Sequence, residues 1–189
     1  MTQQELLEIL DSWENLNVVI KETGNHPTHF DLLMEIALNS QEKNSWRAAW
    51  MADKIHDNYP NLIKPYLGKM VERLNNSLQV GKKRHFLKLI SLNDIPEEYH
   101  GFLVNYCLTA LTSAKEPPAV RVHAMQVLFN ISEKEPELKP ELLAVIEHEM
   151  EYHATAGILS RGKKLARKLH KQIRQNVNEA MGPLLKKDG

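Results

Sequence analysis

The sequence predicts an all-α fold made of stacked helix pairs, and three observations lead to it. The blocks Trp46-Arg47-Ala48-Ala49-Trp50, Lys83-Arg84-His85-Phe86-Leu87 and Val120-Arg121-Val122-His123-Ala124 set an arginine every 37 residues, close to the period of two-helix repeats. Between the blocks, Pro27, Pro60, Pro96 and Pro136 each precede an apolar-periodic run. Proline suits the first turn of a helix, where its missing N–H would have no intrahelical partner. Finally, no stretch shows sustained apolar/polar alternation between Asn-Gly or Asp-Gly turns, so no sheet is expected.

Each repeat therefore reads as an arginine-bearing helix, a short polar turn and a proline-started helix. The runs that follow the prolines are His29 to Leu38, Leu62 to Leu74, Glu97 to Leu111 and Glu137 to Met150. Asp57-Asn58-Tyr59-Pro60 and Glu116-Pro117-Pro118 supply breaks between helices. Within the third block Val120, Ala124, Val127 and Ile131 share one helical face, and the same offsets give Leu87 and Ile90 in the second block and Trp46 and Trp50 in the first. One helix pair is too small to bury such a stripe, so neighbouring pairs must stack. A fainter fourth copy puts Lys163 42 residues after Arg121, with Ala166, Leu169 and Ile173 matching Ala124, Val127 and Ile131. The expected architecture is a right-handed α-α superhelix of about four helix pairs plus a C-terminal helix. It would form one domain over residues 1–174, followed by a frayed or disordered tail over 175–189.

Composition narrows the function classes. With 42% hydrophobic and 25% charged residues in 189 positions, the chain fits one folded domain. Glu5 and Glu8 stand where a signal peptide needs a basic region and a continuous apolar one. No apolar run approaches the roughly 20 residues that span a bilayer, and a soluble, cytoplasmic protein is expected. Cys107 is the single cysteine, which excludes an internal disulfide and a multi-cysteine metal cage and leaves the role of a buried small hydrophobe. The formal net charge of zero hides a split. Residues 1–156 carry 15 basic and 22 acidic side chains, whereas 157–189 carry 9 basic and 2 acidic. Such a basic end can attract phosphates or an acidic partner, although one solvated face of a last helix gives the same pattern.

Val120-Arg121, followed by Ala124 and Leu128, resembles the second-helix pattern of HEAT repeats, and the resemblance covers Ser12 to Ile173. It implies a solenoid in which a basic residue of each repeat pairs with acidic groups of its neighbour. The alternative for Arg47, Arg84 and Arg121 is a ridge binding carboxylates or phosphates, reinforced by His85 and His123. With Ser45 to Trp50, Ala119 to Leu128 and Ser160 to Leu169, the chain is also similar to a group of small bacterial HEAT-like proteins. Some of these carry an adenylosuccinate lyase label, which this sequence does not support: neither the Ser-Ser pair nor the Met-Pro step of that superfamily's loop occurs.

The resulting expectation is a non-enzymatic interaction module that binds a protein or peptide through a concave groove. Its contacts would fall on Arg47, Arg84, His85, Arg121 and His123, with Arg161, Lys163 and Lys164 on an auxiliary basic surface. The alternative is a nucleic-acid-binding protein, of the type of HEAT-like DNA glycosylases, using Trp46, Trp50 and Asp53. The repeat alignment instead assigns both tryptophans to the core stripe, and a nucleic-acid enzyme would carry a more basic groove. No cofactor is expected, since no Gly-rich phosphate loop, Gly-x-Ser-x-Gly elbow or Cys-x-x-Cys pair occurs. No metal is expected either. His148 and His153 are five apart, a spacing that points helical side chains away from each other, and His153 reads as a packed histidine. His26 and His29 have a chelating spacing without an acidic or cysteine companion.

Overall fold

Helix starts and stops follow local chemistry along the chain. The computed structural model describes residues 1–74 and 77–181, the side chains of 177–181 excepted. Among them it contains ten α-helices and no strand. Two compact units result, Met1–His100 and Gly101–Gly189.

In the first unit, α1 (Gln3–Ser12) begins with a capping box: Glu5 N–H donates to Thr2 Oγ1 at 3.2 Å, and Thr2 N–H donates to Glu5 Oε2 at 2.7 Å. It ends at Trp13, whose φ of 60° turns the chain out of the helix. After α2 (Leu16–Asn25), α3 (Pro27–Asn39) starts with Pro27 in its first turn, as the sequence predicts. Then come α4 (Trp46–His56), α5 (Leu67–Arg73) and α6 (Val80–Ser91). The run after Pro60 opens as a 3-10 helix, Pro60–Tyr66, before α5 begins. Pro65 lies inside it and cannot donate the N–H that an α-helix needs there. α4 packs on both α3 and α6. Ala48, Ala49 and Ala52 are fully buried on it, and their small side chains let these helices approach closely.

The second unit holds most of α7 (His100–Thr112), then α8 (Pro118–Ser132), α9 (Lys139–Tyr152) and α10 (Ala156–Met181). Short 3-10 turns, Glu97–Tyr99 and Pro136–Leu138, precede α7 and α9. The apolar stripe expected on α8 is buried along its whole length, at Val120, Ala124, Val127 and Ile131. α10 packs on α8 and α9 through Ile158, Leu165 and Leu169. Gly162 is the close-approach point: a Cβ there would lie 2.6 Å from the Met150 sulfur of α9. Cys107 is buried, and desolvation pushes its thiol far above the ordinary value. The helix α10 runs through Met181, so the expected tail starts inside it; residues 182–189 of that tail lie outside the described residues. No helix among the described residues is long and apolar enough to cross a membrane.

Candidate functional site

Helix ends leave carbonyls without intrahelical N–H partners, and among the described residues three such ends are met by buried or half-buried cations. Arg47 on α4 donates from Nη1 to the Leu10 carbonyl at 2.8 Å and the Asp11 carbonyl at 3.1 Å, at the end of α1. Lys82 on α6 donates to the Ser40 carbonyl at 2.6 Å and the Ile36 carbonyl at 3.4 Å, at the end of α3. Arg121 on α8 donates from Nε to the Leu111 carbonyl at 2.8 Å, at the end of α7. Positive charge is also favoured there by the helix dipole.

Arg84 is therefore not the middle member of this series. It is exposed, and Lys82, two positions earlier, is buried in its place. The spacings from Arg47 to Lys82 and from Lys82 to Arg121 are 35 and 39 residues rather than 37 twice. Unequal connections shift the register, and residue type alone favoured the arginine. Burial, with the Arg73 charge adding to it, lowers the Lys82 ammonium to about 8.

Next to Lys82, His85 is turned inward rather than outward and is 2% exposed. Its Nδ1 lies 3.0 Å from Asp53 Oδ2. A carboxylate only accepts, so Nδ1 carries the proton. Lys88 Nζ reaches the other oxygen at 2.6 Å. Burial pushes the Asp53 carboxyl upward, but the hydrogen bonds from His85 and Lys88 outweigh it and hold the group below its ordinary value. Asp53, the aspartate considered for glycosylase chemistry, is thus tied into the packing between α4 and α6. Trp46 and Trp50 are half-buried flanks of α4, not its core face. Trp13 stacks beside them, with ring centroids 6.3 Å from Trp46 and 4.6 Å from Trp50, and the Arg47 guanidinium lies 4.8 Å over the Trp13 ring.

The second unit contains a different carboxylate site. Arg121 pairs with Glu149 of α9, and both are almost fully buried. By the repeat division read from the sequence, α8 and α9 form one helix pair, so this ion pair lies within a repeat and not between neighbouring repeats as the resemblance implied. Two histidines share the same carboxylate: His148 Nδ1 lies 3.4 Å from Oε1 and His153 Nδ1 3.1 Å from Oε2. The expectation that these histidines point apart fails because α9 ends at Tyr152. His153 has left helical geometry, with φ −132° and ψ 37°, and its ring folds back to within 5.8 Å of the His148 ring. Neither histidine is packed in the core; their side chains are 57% and 44% exposed. Their two ring nitrogens and a Glu149 oxygen lie within 4.8 Å of one another.

Beside it, α9 and α10 border an open groove of about 710 Å³, with Met150 and Ala166 in its floor. Lys163, Arg167, His170, Lys171 and Arg174 line it. Of these, Lys163, Arg167, Lys171 and Arg174 are exposed, as is Lys164 on the same helix. Arg161 is instead half-buried and hydrogen-bonded to Gln126, and His123 is half-buried on α8. At the other end of the chain, the His26 and His29 rings are 5.1 Å apart, and Glu22 approaches His29 at 3.9 Å.

These stacked helices and end-capping cations define a helical-repeat protein. The HEAT repeat domain family matches residues 3–169, and the chain belongs to that family. No curated protein and no solved structure matches the chain.

Proposed function

We propose that the protein is a non-enzymatic interaction module and that its partner is an acidic protein or peptide seated on the α9–α10 groove. Membership in the HEAT repeat family supports the general role, because stacked repeats expose extended surfaces for binding. The observation that carries the choice of surface is the division among the cations. Arg47, Lys82 and Arg121 are occupied by helix-end carbonyls. Lys163, Arg167, Lys171 and Arg174 face solvent around a floor that includes Met150 and Ala166. Basic walls over an apolar floor suit a carboxylate-bearing segment with apolar anchors better than a bare phosphate backbone. Arg84, exposed on α6, is a secondary candidate contact.

The test is affinity capture from native lysate with wild-type protein and a Lys163→Glu/Arg167→Glu/Lys171→Glu variant, each run with and without nuclease. The expected result is a protein partner that survives nuclease, weakens as salt rises and is lost in the variant. Capture that vanishes with nuclease supports nucleic-acid binding instead. Capture unchanged in the folded variant removes the groove from the binding surface.

A further inference from the structure

We propose that His148, Glu149 and His153 form a binding site for a divalent transition-metal ion, independent of the macromolecular partner. Three features carry it. The donor set is two imidazoles and one carboxylate, a combination used for zinc and for ferrous iron. The donors already converge: each Nδ1 lies within 3.4 Å of a Glu149 oxygen, and the three ligand atoms lie within 4.8 Å of one another. Ligands at about 2.0–2.1 Å from a tetrahedral zinc ion sit roughly 3.3 Å apart, so small rotations of two exposed rings close the site.

The third feature is how the carboxylate is held. Glu149 is 1% exposed and its Oε2 accepts from Arg121 Nη2, while Arg121 Nε donates to the Leu111 carbonyl and anchors the guanidinium. An ionised carboxylate has about four lone-pair positions, so Oε1 remains able to take a metal while Arg121 keeps Oε2. Arg121 would then do for Glu149 what outer partners do for metal ligands elsewhere: fix its rotamer and orientation. The solvent-facing side, where His148 and His153 are about half exposed, leaves an entry path and room for a water ligand. The positive charge of Arg121 opposes a cation, so selectivity rests on the imidazoles. Zinc is therefore expected to bind where magnesium, which prefers oxygen ligands, does not.

The experiment is a titration of the full chain with Zn²⁺ against a chromophoric chelator, repeated with Mg²⁺ and followed by ¹⁵N shifts of the histidine ring nitrogens. Wild type, His148→Ala, His153→Ala and a His26→Gln/His29→Gln control are compared, with helicity checked by circular dichroism. The two single variants remove exposed rings and leave the Arg121–Glu149 pair intact, so they test the ligands without exposing a buried charge. Expected are one zinc ion per chain, a loss of affinity of about 10-fold or more in each single variant, perturbed Nδ1 shifts at His148 and His153, and a control that matches wild type. Failure of wild type to bind zinc overturns the proposal. So does wild-type affinity in either single variant, or loss of binding in the control.

Discussion

Asp53 and Glu149 are both buried carboxylates that receive a cation and an imidazole, yet their surroundings differ in one respect that decides what each can do. Around Asp53 the imidazole belongs to His85 and is sealed inside, 2% exposed, its Nε2 buried without a hydrogen-bond partner among the described residues. Lys88 alone has access to water. Around Glu149 the arrangement is inverted: the guanidinium is buried and the two imidazoles face solvent. The first network can lock two helices together but cannot meet a solute. The second presents two solvent-facing imidazoles held against a fixed, buried carboxylate. Equal donor chemistry thus yields a packing device in one unit and a candidate ligand site in the other.

The largest expected effect follows from which partner is trapped. Glu149→Ala leaves Arg121 charged and buried, a loss of about 3–5 kcal/mol in urea unfolding. Asp53→Ala should cost less, about 1–3 kcal/mol, because Lys88 can turn to water. A cost for Asp53→Ala equal to that of Glu149→Ala would break the comparison. Acid titration sharpens it: Asp53 has a folded pKa below its ordinary 3.8. Its contribution is complete above the unfolded value and is lost as pH falls through the lower folded one. The variant should therefore lose less stability than wild type over that acidic range.

Three further changes test the helix contacts. Gly162→Ala puts a methyl group against Met150 and Ile146, and overpacking should cost about 1 kcal/mol, read as a lower unfolding midpoint. Lys82 gives a basic-side signature. Its folded pKa of about 8 lies below the ordinary 10.5, so between those values the unfolded chain binds more protons and stability rises with pH. Lys82→Met should remove that rise in a series of urea midpoints. Arg84→Ala, on the exposed face of α6, should stay within about 0.5 kcal/mol of wild type. A larger loss would restore Arg84 to the structural series that Lys82 now fills.

Helix type, the proline starts and the stripe of α8 were legible because they depend on local periodicity and backbone chemistry. The basic end was legible by counting, and its exposed face follows from the alternation of Leu165 and Leu169 with Lys163, Lys164, Arg167 and Lys168. Cys107 also sits where its small apolar character suggested. The role of Lys82 was not legible, since a two-residue shift in register changes which cation meets a helix end and leaves the residue pattern nearly the same. The inward turn of His85 and the half-burial of Trp46 and Trp50 are likewise settled by neighbours on other helices.

The clearest division falls at His153. By itself the sequence determined that a histidine pair brackets Glu149 at the end of a helix, and helical geometry alone directs that pair apart. Tertiary structure decided that α9 stops at Tyr152 and that Arg121, 28 positions earlier, holds Glu149 in place. Once the backbone leaves the helix, a five-residue spacing no longer fixes direction, and the two rings meet on one carboxylate.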